Sequence, residues 1–233
     1  MGKAEGSRSL QRIGLLQDLS PADLAKVAGR CAWHRYAANQ EVIGQESDNT
    51  DVFLIADGKV RVTFFAASGR EIAFRDLDAG MSFGELSAID GLARSASVVA
   101  LVDTTLASLP RRGFRALLRE YPDVAERVML HLASLVRSLS ARVVEFSTLA
   151  VQNRIQAELV RMARQSGVAS NKAVIAPIPK HADVASRVAT NREAVARELN
   201  RLAREGLIER QHGGLAVLDV DRLADMVETV RDI

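Results

Sequence analysis

The apolar pattern of this chain changes period once, and that change limits the open architectures more than any other feature. Between Trp33 and Pro110 hydrophobic residues alternate, or run in short blocks between glycine turns, which is the pattern of strands. Val52-Phe-Leu-Ile is a buried run, Asp57-Gly58 a tight turn, and Val60, Val62 and Phe64 alternate. Ser68-Gly69 turns the chain again, Ile72 and Phe74 resume the alternation, Asp78-Ala-Gly80 makes a further turn, and Ser97 to Leu109 supplies closing strands. Short strands at regular intervals predict a small barrel or jelly roll. Upstream, Ser20 and Pro21 read as the N-cap and first residue of a short helix with a stripe of Leu24, Val27 and Ala28.

Beyond Pro110 the period becomes helical. Residues 112–120 predict a short helix, and a long one follows over about 123–147. Val128, Leu132, Leu135, Leu139, Arg142 and Phe146 recur on it at alternating spacings of four and three, a heptad seam that Val136 and Val143 widen. Such a seam either covers the barrel or pairs in parallel with a second copy of the chain. The polar remaining faces (Arg127, Arg137, Ser138, Glu145) favour the pair. His131 on this helix is given no ligand role. The expected divisions are 1–120 for the strand domain, 121–149 for a dimerisation helix and hinge, and 150–233 for a last domain.

That last domain opens with a helix over about 151–166, stopped at Ser166-Gly167. Val174-Ile175 is a short strand. Ala182-Asp-Val-Ala-Ser-Arg-Val, a turn through Val188 to Asn191, and then Arg192-Glu-Ala-Val-Ala-Arg-Glu-Leu make a helix-turn-helix. Leu207-Ile208, Gly213-Gly214 and Leu215-Ala-Val217 read as a β-hairpin wing, and about 219–230 as a final acidic helix.

Charge is placed unevenly along the 233 residues. Basic and acidic residues balance at 18 each over 1–149, stand 11 against 6 over 150–212, and 2 against 5 over 213–233. The basic excess points to a polyanionic partner for the helix-turn-helix. The single cysteine, Cys31, excludes an internal disulfide and any multi-cysteine zinc or iron–sulfur site. No apolar run reaches the length of a membrane span, no secretory h-region opens the chain, and the cytoplasm is the expected compartment.

The richest stretch chemically is Phe83 to Ala100, Phe-Gly-Glu-Leu-Ser-Ala-Ile-Asp-Gly-Leu-Ala-Arg-Ser-Ala-Ser-Val-Val-Ala. Gly84 lets backbone approach a ligand closely. Ser95 and the amides around it form a nest for an anion, and Arg94 adds a planar charge matched to phosphate oxygens. Glu85 would repel a phosphate, but it can accept from a sugar hydroxyl. Together they describe a pocket for a ribose phosphate. The competing reading is a plain Glu85–Arg94 salt bridge with glycines serving only as turns. The stretch resembles the phosphate-binding cassette of cyclic-nucleotide-binding domains, Phe-Gly-Glu-Leu, a helical turn, then Arg-Ser/Thr/Ala-Ala. The resemblance implies that Gly84, Glu85, Leu86, Arg94, Ser95 and Ala96 bind a cyclic nucleotide, with Glu85 on the ribose 2′-hydroxyl and Arg94 and Ser95 on the phosphate.

In the helix-turn-helix, Arg192, Glu193 and Arg197 lie in the first two turns of the second helix, where base edges are met. Arginine pairs bidentately with guanine and glutamate accepts from cytosine. For Glu193, a capping box over Thr190 to Glu193 and an ion pair with Arg197 compete with that role. The stretch resembles the recognition helix of Crp/Fnr transcription regulators, Ser-Arg-Glu-Thr-Val-x-Arg, with Asn191 and Ala194 departing from it. The resemblance spans nearly the whole chain. It implies an α+β architecture of N-terminal cyclic-nucleotide-binding β jelly roll, long dimerisation helix and C-terminal winged helix-turn-helix. It further implies a homodimer on a palindromic TGTGA-like DNA site, with RNA polymerase as a further partner and no membrane. Lys180 and His181 then fall at phosphate-contacting positions, with His212 in the wing one residue out of the family's spacing. Leu139 and Ser140 fall where adenine-responsive members carry Thr-Ser; Leu139 cannot hydrogen-bond an adenine amino group, and Ser95 could serve a guanine. The effector is thus cyclic AMP and/or cyclic GMP, with no catalytic cofactor. Two rivals differ in class: a regulator that binds DNA without a ligand, and a nucleotide-sensing module whose winged helix binds protein. Glu85, Asp90 and the four histidines form no triad or metal spacing, so no enzyme is expected.

Overall fold

The computed structural model describes residues 3–65 and 71–231; the expected Ser68-Gly69 turn lies outside them. The chain divides into two compact units, residues 1–134 and 135–233. The first holds helix α1 (Lys3–Leu10), a 3-10 turn (Gly14–Leu16), α2 (Pro21–Gly29), and strands β1 (Ala32–Tyr36), β2 (Glu41–Ile43), β3 (Val52–Asp57), β4 (Lys59–Phe65), β5 (Glu71–Asp78) and β6 (Ser82–Phe83). Then come α3 (Glu85–Asp90), β7 (Ser97–Ala100), β8 (Thr104–Leu109), α4 (Arg111–Glu120) and the start of α5 (Pro122–Thr148).

The strands form two four-stranded antiparallel sheets, ordered β1-β8-β3-β6 and β2-β7-β4-β5. This is a jelly roll, and β3 shows why its sequence is a continuous apolar run. Phe53 and Ile55 face the space between the sheets with Val60, Leu77, Phe83 and Leu106, while Val52 and Leu54 face the helices with Leu10, Leu24, Phe114 and Val124. A strand buried on both faces has no polar positions to alternate. At Gly58 (φ 93°) the chain leaves the first sheet for the second, and a Cβ there would lie 2.4 Å from Thr104 Oγ1. Ser20 caps α2, its Oγ accepting from the Asp23 amide at 3.1 Å.

The pattern of residues 3–10 predicts no element, yet α1 packs on the barrel. Leu10, Ile13 and Leu16 are fully buried, and Gly6 brings the helix so close that a Cβ would stand 3.0 Å from the Trp33 ring.

The second unit carries the rest of α5, then α6 (Val151–Ser166), β9 (Ala173–Ile175), α7 (His181–Arg187), α8 (Arg192–Arg204), β10 (Ile208–Gln211), β11 (Gly214–Val217) and α9 (Val220–Arg231). Gly167 (φ 88°) ends α6. The wing forms a three-stranded sheet in the order β10-β11-β9. Ile155, Leu159, Val184, Val195, Leu202, Leu215 and Leu223 belong to one core. Beside that core the Glu158 side chain is 1% exposed, and it is held by Arg142 at 3.3 Å, Arg187 at 3.1 Å and Arg161. Arg161 also pairs with Glu145 at 2.9 Å, so the last turns of α5 are tied to α6 and α7.

This pairing moves the expected seam of α5. Val128 is buried in the first unit's core and Arg142 points to Glu158, so neither lies on an open apolar row. In the second unit the exposed row is Val136, Leu139, Val143 and Phe146, at 62, 40, 64 and 39% exposure, again spaced three, four, three.

Candidate nucleotide pocket and nucleic-acid face

In the first unit β6 ends on Phe83, which stacks on Phe53 with centroids 5.2 Å apart. Gly84 follows in the left-handed region (φ 87°), and a Cβ there would lie 2.6 Å from Arg94 Nη1 and 2.8 Å from Asp51 O. Only glycine lets the backbone come this close. Arg94 is 4% exposed. Its Nη1 donates to Gly84 O at 2.9 Å, Nη2 donates to Asn49 Oδ1 and Asp51 O, both at 2.5 Å, and its guanidinium lies 5.8 Å from the Phe53 ring centroid. Burial pushes Arg94 below the ordinary guanidinium range, while Asp51 and Glu85 pull it back.

Glu85, the first residue of α3, is 5% exposed. His131 Nε2 on α5 donates to its Oε1 at 3.0 Å, and its Oε2 is buried without a partner among the described residues. The plain Glu85–Arg94 salt bridge is therefore not what the fold builds: each member has other partners, and each keeps one buried atom unmatched, Glu85 Oε2 and Arg94 Nε. An acceptor and a donor left over on two groups in each other's field suit a hydroxyl beside an anion. Leu86 (42% exposed) and Ser95 reach solvent, and Ala96 is half-buried. Leu139 and Ser140 are exposed on the part of α5 that belongs to the second unit.

Spacing missed three residues here. His131 sits on a long helix where only the direction of its side chain shows its partner. Arg75 reads as outward, because Ile72 and Phe74 set the alternation. A register slip places Val62 opposite Arg75 but Thr63 opposite Ala73, and so re-phases the strand. Thr63, fully buried with its Oγ1 unmatched, lies at the same slip.

In the second unit, Lys180 is the exposed N-cap residue of α7 and His181 its first residue. Asn191 caps α8, its Oδ1 accepting from the Ala194 amide at 2.8 Å. The expected capping box beginning at Thr190 does not form, because the helix starts one residue later. Glu193 pairs with its neighbour Arg192 at 3.0 Å, which replaces the expected i, i+4 pair with Arg197 and holds the Glu193 carboxyl below its usual range. Val195, Leu199 and Leu202 are buried, leaving Glu193, Arg197, Asn200 and Arg204 exposed along the opposite face. His212 is exposed in the turn between β10 and β11. A groove of about 740 Å³ lies between the start of α6 and α8, lined by Val151, Ile155, Arg197 and Arg201 among others. No residue lining it has a buried unmatched side-chain atom among the described residues, unlike Glu85 and Arg94.

Comparison with known proteins assigns both ends of the chain. Residues 33–121 match the cyclic nucleotide-binding domain and residues 153–226 the Crp-like helix-turn-helix domain. The cyclic AMP receptor protein of Thermus thermophilus is 29% identical over 91% of this chain and 95% of its own. A CRP-like cAMP-activated global transcriptional regulator of Mycobacterium tuberculosis is 23% identical over 92% of this chain and 96% of its own. Among solved structures, a CooA variant of Carboxydothermus hydrogenoformans shares the fold with a TM-score of 0.76 at 21% identity, covering 85% of this chain and 88% of that one. A nucleotide-binding domain followed by a Crp-like helix-turn-helix makes this chain a member of the Crp/Fnr family, whose members are non-catalytic, DNA-binding transcription regulators.

Proposed function

We propose that this regulator binds a cyclic nucleotide, cyclic AMP or cyclic GMP, through Gly84, Glu85, Leu86, Arg94, Ser95 and Ala96, and that binding controls its grip on DNA. The observation that carries the reading is the pair of unmatched buried atoms, Glu85 Oε2 and Arg94 Nε, beside a glycine whose φ is 87°. A ribose hydroxyl satisfies the first and a cyclic phosphate the second. The Thermus and Mycobacterium relatives carry cyclic AMP in their names, which supports a cyclic nucleotide as effector. The working form is a homodimer through residues 121–149, where the exposed row Val136, Leu139, Val143 and Phe146 buries itself against its copy.

On DNA, Lys180 and His181 contact phosphates, His212 does so from the wing, and Asn191, Arg192, Glu193 and Arg197 approach base edges of a TGTGA-like palindrome. Two-fold symmetry requires recognition helices about 34 Å apart. A near-complete switch needs the ligand to prefer the competent state by about 5.5 kcal/mol. RNA polymerase is the expected partner at the promoter. The test is fluorescence anisotropy of a TGTGA-palindrome duplex without nucleotide, then with cyclic AMP and with cyclic GMP. Tightening by at least one nucleotide supports the reading. Identical binding in all three states would leave a ligand-independent regulator.

A further inference from the structure

We propose that Arg75 reads the base of the bound nucleotide by donating to O6 and N7 of guanine, so that the effector is a guanine rather than an adenine cyclic nucleotide. This rests on the pocket reading above.

The placement comes from strand register. Leu77 on β5 is fully buried and stands opposite Val60 on β4, both in the core between the sheets. Residues directly opposite on an antiparallel pair share a face, and so do residues two apart. Arg75, two residues before Leu77 and opposite Val62, therefore points to the inside of the barrel, and Val62 packs against that same core. A guanidinium on an inner face needs a reason. Arg75 is half-buried, and its Nε is fully buried with no hydrogen-bond partner among the described residues. Burial pushes Arg75 below its ordinary range and Glu85 pulls it back, which sets the two groups in each other's field.

The unmatched atoms then sort by ligand part. Arg94 Nε belongs with the phosphate and Glu85 Oε2 with the ribose, which leaves the Arg75 guanidinium for what lies beyond the sugar. The Hoogsteen edge of guanine offers two acceptors, O6 and N7, side by side, and a guanidinium is a planar, donor-only fork that matches them. Adenine offers N7 and an amino donor, and the donor faces a second donor on arginine. A buried donor without an acceptor is unfavourable, so the same side chain that accepts guanine discriminates against adenine.

The experiment uses the full chain and isothermal titration with cyclic GMP, cyclic IMP and cyclic AMP. Cyclic IMP keeps O6 and N7 but lacks the 2-amino group. Wild type should bind cyclic GMP and cyclic IMP about tenfold or more tightly than cyclic AMP, the scale of one bidentate base contact. Arg75→Ala should bring the three affinities together. Arg75→Gln should move preference toward cyclic AMP, because a carboxamide pairs with N6 and N7 of adenine, a gain that a misfolded variant cannot give. The inference is overturned if wild type prefers cyclic AMP, or if Arg75→Ala weakens all three equally, as a phosphate ligand or a structural arginine would. Failure of wild type to bind any of the three would instead remove the pocket reading on which it rests.

Discussion

Replacing Arg94 by alanine perturbs stability and ligand response together, and the structure sets the size of both. The side chain is 4% exposed and donates to Gly84 O, Asn49 Oδ1 and Asp51 O. Removing it strands three acceptors. Breaking a buried charged network of this kind costs about 3–5 kcal/mol. For a domain of this size each kcal/mol lowers the melting temperature by about 3–4 °C, so the first unit should melt about 9–20 °C lower. The ligand effect is separate. At about 100 times its Kd a ligand stabilises wild type by about 2.7 kcal/mol, an upward shift of about 8–10 °C. Losing the buried partner of the phosphate costs about 2–5 kcal/mol of binding, which raises Kd at least about 30-fold. At the same nucleotide concentration the variant's shift should shrink to about 3 °C or less. Differential scanning fluorimetry with and without each cyclic nucleotide reads both quantities. Arg94→Lys keeps the charge but not the fork, and should retain part of the shift. A melting temperature that falls as expected while the nucleotide-induced shift stays at the wild-type size would show that Arg94 only braces the loop.

Three further outcomes follow from other parts of the chain. Glu158→Ala should destabilise the second unit by about 3–5 kcal/mol, read as a lower melting temperature, whereas Arg142→Ala should do far less; equal losses would refute the central role given to the carboxylate. Val143→Glu, on the exposed row of α5, tests the proposed homodimer: light scattering should give a dimer for wild type and a monomer for the variant, and a variant that stays dimeric would place the interface elsewhere. Burial pushes the Cys31 thiol up to about 12, and its Sγ donates to Val27 O at 3.3 Å. Native protein at pH 8 should therefore react with iodoacetamide more than about a hundredfold more slowly than the urea-unfolded chain, and comparable rates would contradict that burial.

Much of this architecture is legible in the residues, for stated reasons. Val52-Phe-Leu-Ile reads as buried because β3 has a core on each side, and Gly84 reads as a close approach because its left-handed backbone leaves no room for a Cβ. Helix-turn-helix and wing follow from glycine placement and spacing. What spacing could not supply is direction. His131 and Glu85 are 46 positions apart, and only the packing of α5 on the barrel brings them within 3.0 Å. Arg75 faces inward through a register slip that leaves no mark on the apolar pattern. The seam of α5 moved for a similar reason: Arg142 satisfies a heptad spacing, yet it is drawn to a carboxylate 16 positions later. Helix α1 was missed because it is anchored by its last residue, Leu10, and by Ile13 just beyond it, more than by a continuous apolar stripe of its own.

The cluster around Glu158 makes drift in this half of the molecule lopsided. Any one of Arg142, Arg161 or Arg187 can be exchanged for a neutral residue while the carboxylate keeps two cations. Exchange of Glu158 removes the one buried carboxylate that all three arginines share, with Glu145 still paired to Arg161. Lineages descending from this chain should therefore vary the arginines first and singly, and should lose the glutamate only after the arginines around it are gone.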